Sequence, residues 1–511
     1  MATSRYPHLD WRESTKGHWE RELDEVEGFY TQIAKTYEGT GRMAFAITGF
    51  LSFSVAASDS SSLSETHQLV QLALRSAWIR LRYSHPTIAS HVEYDSVNQK
   101  WIKSYTACRP ESPSDQLEEW LQATFIPITS SVSGLEWCNS DPIAPKCPSL
   151  FVITPPREDE DEVRTLRHNL VIRSPHDIID GIGTLQLLNS LLFYAAEAFN
   201  QPETWVPPPP RSECQDLSPP LRVAAAIPPM LTLAQQVRLQ SIITRNFSLR
   251  EGVQVLTLPL KRGSLLPGKH QRIAHEATAV DTARILEACK FLNATVTHVY
   301  HAAVAISLRD MQESGQDSRQ VRYISYALLN KRSKCAGEYR TSKHAATVYH
   351  SVSGDNLSLD LVIPSAAEKI TNDQEQPCVK EVGDFYRAQG SPDDLVLAPL
   401  FMSMATPHIE NPTLAPHEVP IPDPNMSPSV SLSSIGVIDK IIKPQHGPFR
   451  VDKPWVTGEE LGTGLGVFLG TWNGKLQLSA AYNDAWHIKE EVDAYLNLCQ
   501  KVVRKGLGLD D

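Results

Sequence analysis

Among the 17 histidines of this 511-residue chain, His176 stands in the context best suited to acid–base chemistry. It opens the segment His176-Asp-Ile-Ile-Asp180-Gly181, after an apolar run, Asn169-Leu-Val-Ile-Arg173, and before a second one carrying Leu185, Leu188, Leu191 and Leu192. An imidazole titrates near neutrality. It can therefore take the proton from an alcohol as the oxygen attacks an acyl carbonyl, then return it to the leaving group. A residue between a strand and a helix sits on a rigid scaffold yet can reach a cleft. Pro175 stiffens this turn, and Gly181 and Gly183 allow close backbone approach.

A histidine four residues ahead of an aspartate arises roughly once by chance in a chain of this composition, so spacing alone decides nothing. The chain carries a second copy of the spacing, His91-Val-Glu-Tyr-Asp95, whose alternation places it inside a strand, with Ser96 where glycine would stand and no helix after it. Only the segment at His176 combines spacing, glycine and a strand–loop–helix setting. No Gly-x-Ser-x-Gly elbow, Walker phosphate loop, His-Glu-x-x-His or Gly-x-Gly-x-x-Gly fingerprint occurs in the chain. His298 and His301 lie three apart on an apolar helical stretch without a third ligand candidate, which favours packing over metal binding.

The elements that must position His176 follow from periodicity. A strand is expected over 44–57, a helix from Ser64 to Tyr83, a hairpin of 91–95 with 100–105, and strands at 150–154 and 168–173, with a charged loop over 157–164. Nine prolines between Gln201 and Met230 forbid regular structure and read as a crossover linker. Beyond it, a strand is expected from Val253 to Leu260, helices over 282–291 and 295–311, and a strand from Tyr323 to Leu329. A second proline-rich loop over 403–428 reads as a lid or binding segment. Strands over 464–471 and 475–482 and a helix over 488–503 close the chain.

Length and composition set outer bounds. The chain is long enough for two domains, and 41% hydrophobic with 21% charged residues describes a globular protein. A net charge of −11 without a Lys/Arg run argues against nucleic acid as a partner. The eight cysteines are scattered singly, which suits a reducing compartment and no zinc site. No run approaches a membrane span or a secretory signal, so a cytoplasmic location is expected; a monomer is the expected oligomeric state.

His-x-x-x-Asp-Gly after a strand resembles the signature of the superfamily that contains BAHD acyltransferases and nonribosomal condensation domains, and within it the fungal trichothecene 15-O-acetyltransferase family. Weaker landmarks agree in order: 294–303 as a helix of the second domain, Asn330-Lys-Arg332 as an Asn-x-Arg segment, and Ser433-Ser-Ile-Gly436 as a strand near the cleft. The resemblance spans about 45–503 and implies an α+β fold of two chloramphenicol-acetyltransferase-like halves with a channel at their interface. It divides the chain into 1–205, a linker over 206–250, and 251–511. It also implies acetyl-CoA or another acyl-CoA as cosubstrate, no metal, and a small-molecule alcohol acceptor such as a terpenoid or polyketide. His176 would be the base. Asp180 would be structural, paired with Arg332 and supported by Gly181, while Ser434 and Trp472 would line the cleft. The Asp-Phe-Gly-Trp-Gly motif of plant BAHD enzymes is absent, and Pro175 stands where condensation domains carry a second histidine. Two alternatives stay open: a carrier-bound thioester as donor, and a catalytically silent metabolite-binding protein.

Overall fold

The computed structural model describes residues 5–58, 62–108, 113–156, 164–201, 205–259, 265–367, 375–414, 421 and 428–509. Its centre is a six-stranded sheet in the order Gln445–His446, Phe449–Gly458, Ile47–Ala56, Thr165–Ser174, Ser149–Thr154 and Phe125–Thr129. The helices Leu63–Ser84 and Gly181–Asn200 cover one face. Their apolar stripes (Val70, Leu74, Trp78; Leu185, Leu188, Leu192) interlock with Leu51, Phe53, Leu170 and Ile172 of the strands. Both helices have clear starts: Ser62 and Glu65 form a capping box, and Asp180 caps the second through its carboxylate.

The second lobe repeats the style. A four-stranded sheet (His270–Glu276, Lys475–Asn483, Leu465–Trp472, Val430–Val437) and a three-stranded one (Leu357–Ile363, Arg319–Ser325, Gln254–Val255) share one core with the helices Ala279–Phe291, Val296–Asp310 and Lys489–Gly506. The fold is thus the expected α+β arrangement of two sheet-and-helix lobes.

Several expectations need correction. The strand Phe449–Gly458 belongs by sequence to the second half yet pairs antiparallel with Ile47–Ala56 of the first, so the central sheet draws strands from both halves of the sequence. The 206–250 linker is not extended throughout. Thr232 and Gln235 form a capping box that starts a helix, Leu233–Ser248, held by Gln235–Asp393 and Arg238–Asp394 contacts. The strand expected from Val253 shrinks to Gln254–Val255, because the Leu258 N–H goes to Ser429 Oγ instead of a neighbouring strand. Residues 403–405 end the helix Pro392–Ala405, so the second proline-rich loop starts later than expected; 415–420 and 422–427 of it, and 157–163 of the charged loop, lie outside the described residues. Among the described residues no helix is long and apolar enough to cross a membrane.

Candidate active site

The strand Thr165–Ser174 ends one residue short of Pro175, and the next helix begins at Gly181, so His176 lies on the short loop between them. Ile178 and Ile179 anchor that loop in the core. The His176 ring stacks on Tyr30 with centroids 3.7 Å apart and planes 8° from parallel, and the His350 ring stands 5.2 Å away. His176 Nδ1 is buried without a hydrogen-bond partner on any other of the described residues. Burial, then the nearby His350, lowers its pKa to about 3, so the imidazole is neutral at ordinary pH. Neutrality is the form that can accept a proton.

The loop is clamped from two sides. Asp180, 2% exposed, accepts from Gly183 N at 2.7 Å, Tyr349 N at 2.9 Å and Arg332 Nη1 at 2.7 Å. Burial alone would raise this carboxyl, but Arg332 outweighs it and holds the pKa below the usual carboxylate value. Arg332 reaches further to Thr347 Oγ1 at 3.3 Å, and the Asp180 N–H donates to Thr347 O at 3.0 Å. On the other side, Lys103 Nζ donates to the Asp177 carbonyl at 2.6 Å and pairs with Glu27, which Arg21 grips at 2.6 and 2.7 Å. Thr31 Oγ1 donates to the Asp177 carboxylate at 2.7 Å. The residues on both flanks of the loop are therefore fixed by buried charge, while His176 is left to face the open side.

That open side is a cavity of about 370 Å³ between the lobes. Phe29, Tyr30 and His176 come from the first lobe, and Tyr326, Met402 and Phe468 from the second. Ser434 lines this cavity, with its hydroxyl 2.8 Å from that of Thr297. Trp472 does not. Its indole N–H is spent on the Asp452 carbonyl at 3.1 Å and its ring packs with the first lobe's core, so the cleft-lining expectation is corrected for this residue. Gly181 also borders the cavity, but a side chain there would meet only Val456 at 3.4 Å. The close approach is at Gly183, where a Cβ would stand 2.1 Å from Ala345 O.

No protein-family model matches the chain. It is 23% identical to the acetyltransferase pigO of Monascus ruber, over 98% of this chain and 99% of that protein. The trichothecene 15-O-acetyltransferase of Fusarium sporotrichioides superposes with a TM-score of 0.75 at 16% identity, over 97% of this chain and 98% of that one. The chain has the fold of the condensation-type acyltransferases. The first condensation domain of a calcium-dependent antibiotic synthetase agrees, with a TM-score of 0.61 at 13% identity over 97% of each chain. Within this acyltransferase fold, His298 and His301 are packing residues: His301 bridges the Tyr386 and Tyr323 hydroxyls at 3.0 and 3.1 Å, and His298 Nδ1 accepts from Thr295 N at 3.3 Å. Sequence reasoning missed Tyr30, His350 and Glu460, which also line the cavity. The capping pattern of Asp24 and Glu27 could have revealed the helix Glu25–Lys35 that carries Tyr30; nothing local marks the other two.

Proposed function

We propose that this chain is an acyl-CoA-dependent O-acyltransferase, acetyl-CoA being the favoured donor, that esterifies a hydroxyl of a small secondary metabolite with His176 as general base. The observation that carries the reading is a neutral imidazole on a braced loop at the wall of an inter-lobe cavity. In this scheme His176 takes the hydroxyl proton as the acceptor oxygen attacks the thioester carbon. The tetrahedral intermediate collapses with cleavage of the carbon–sulfur bond, and the imidazolium returns the proton to the departing thiolate. Asp180 and Arg332 hold the loop in shape. Ser434 is the candidate donor to the oxyanion, since its hydroxyl lines the same cavity.

The acceptor class, a terpenoid or polyketide alcohol, rests on the fungal acetyltransferases to which the chain is similar. Incubation with acetyl-CoA and a panel of hydroxylated metabolites, followed as free thiol and ester product, tests the scheme. Undiminished turnover by a purified, folded His176→Ala protein would end it. The likeness to condensation domains favours a second reading, a carrier-bound thioester donor, which product formation from free acetyl-CoA would exclude.

A further inference from the structure

Three buried carboxylates around the His176 loop and the lobe seam are answered by cations. Asp180 has Arg332 at 2.7 Å, Glu459 has Arg173 at 2.9 Å and Glu27 has Arg21 at 2.6 Å. Glu460, next to Glu459 in sequence, differs from these three: it lines the same cavity as His176, and among the described residues no cation pairs with it and no side chain donates to it. Its position is not accidental slack. The Glu460 N–H donates to His270 Nδ1 at 3.0 Å and its carbonyl accepts from Asn483 Nδ2 at 3.2 Å, so the backbone is tied at both ends. Oε1 accepts the Gly462 N–H at 2.7 Å. That turn explains one oxygen. It does not explain a carboxyl on the wall of this cavity, where Phe29, Phe45, Met402 and Phe468 supply apolar surface and His176, His350 and Ser434 supply polar groups.

A carboxyl held only by backbone N–H groups still has acceptor capacity to offer to whatever enters the cavity. A ligand that fills the apolar volume and offers an O–H or N–H at this wall would use it. We infer that Glu460 selects the acceptor: its carboxyl receives a second hydroxyl or an amine N–H of an apolar polyol or amino alcohol, away from the oxygen that is acylated. This rests on the acyltransferase reading and adds the acceptor's chemistry to it. Burial lifts the Glu460 carboxyl to about 7 against hydrogen bonds from the Gly462 and Leu461 backbone, so it holds charge in reserve for a cationic or strongly donating ligand. Acyl-CoA is polyanionic and gains nothing from a group that ionises there.

The test uses the full chain without acyl-CoA, titrated in a calorimeter with cyclohexylmethanol, cyclohexanedimethanol and (aminomethyl)cyclohexanemethanol. The wild type is expected to bind the diol and the amino alcohol about tenfold more tightly than the mono-alcohol. Glu460→Leu should lose both preferences. Glu460→Gln, which still accepts a hydrogen bond, should keep the preference for the diol and lose that for the amine. The KM for acetyl-CoA should be unchanged in both variants, and thermal melts establish that each is folded. Equal binding of the probes by the wild type, no binding of any probe, a preference that survives Glu460→Leu, or an effect confined to the KM for acetyl-CoA would each overturn the inference. Intact discrimination in a protein that never releases thiol would count against the acyltransferase reading alone.

Discussion

Two segments of this molecule share one spacing and have opposite surroundings. His91-Val-Glu-Tyr-Asp95 is an outer strand of the small N-terminal sheet, where the Asp95 carboxylate closes the turn through Val97 N and Asn98 N at 2.9 and 3.1 Å and His91 is exposed. At His176–Asp180 the aspartate is buried against an arginine 152 positions further along the chain, and the histidine is stacked, desolvated and open to a cavity. Spacing between two residues is cheap. What differs is the set of partners that remove water and fix geometry, and those partners are distant in sequence.

The comparison can be broken most severely at the imidazole. His176→Ala should cut acyl transfer by about 10²–10⁴-fold, the range of general base catalysis, while the melting curve stays put; a large loss of stability instead would make His176 a structural residue. His91→Ala is the matched control, and a comparable loss of transfer there would collapse the distinction between the two segments. Next in size is Asp180→Ala, which strands Arg332 in the interior and should cost about 3–5 kcal/mol in chemical denaturation. Asp95→Ala, which removes only turn hydrogen bonds at the surface, should cost about 1 kcal/mol or less. The pH course sharpens the contrast: because Arg332 keeps the folded Asp180 carboxyl below its ordinary value, its stabilisation is full above the ordinary carboxylate range and is lost as pH falls through the lowered folded value. Asp180→Asn cannot titrate and should remove that part of the acid-induced loss of stability.

Smaller effects follow. Gly183→Ala forces a methyl onto the Ala345 carbonyl and should destabilise by about 1–3 kcal/mol, whereas Gly181→Ala should be close to neutral. Finally, because burial lowers the pKa of His176 to about 3, the acid limb of the kcat/KM profile should fall well below the ordinary histidine value. A limb near pH 6.5, the unperturbed value, would mean that water reaches the ring freely.

Much of this was written locally. The strand before His176 and the helix after it follow from apolar periodicity, while the Asp180–Arg332 pair follows only from the family resemblance that Asn330-Lys-Arg332 helps to carry. What stayed hidden has one physical origin. Tyr30, His350 and Glu460 reach the cavity from three unrelated segments, and no short-range pattern records which segments meet. The strand Phe449–Gly458 was equally opaque: Lys453-Pro454 interrupts its apolar pattern, and its partner lies some four hundred positions earlier, at Ile47–Ala56. Trp472 misled for the converse reason, since a tryptophan near a cleft strand serves packing as readily as recognition.

That same strand bears on how the molecule is made. During synthesis Ile47–Ala56 and Thr165–Ser174 leave the ribosome long before Phe449–Gly458, so one flank of Ile47–Ala56 waits with its ladder unmade for on the order of tens of seconds at about 5–20 residues per second. An open flank of this kind invites pairing with other chains. The nascent polypeptide should therefore depend on chaperone protection until Phe449–Gly458 emerges, and a truncation before residue 449 should aggregate rather than yield a free-standing first lobe.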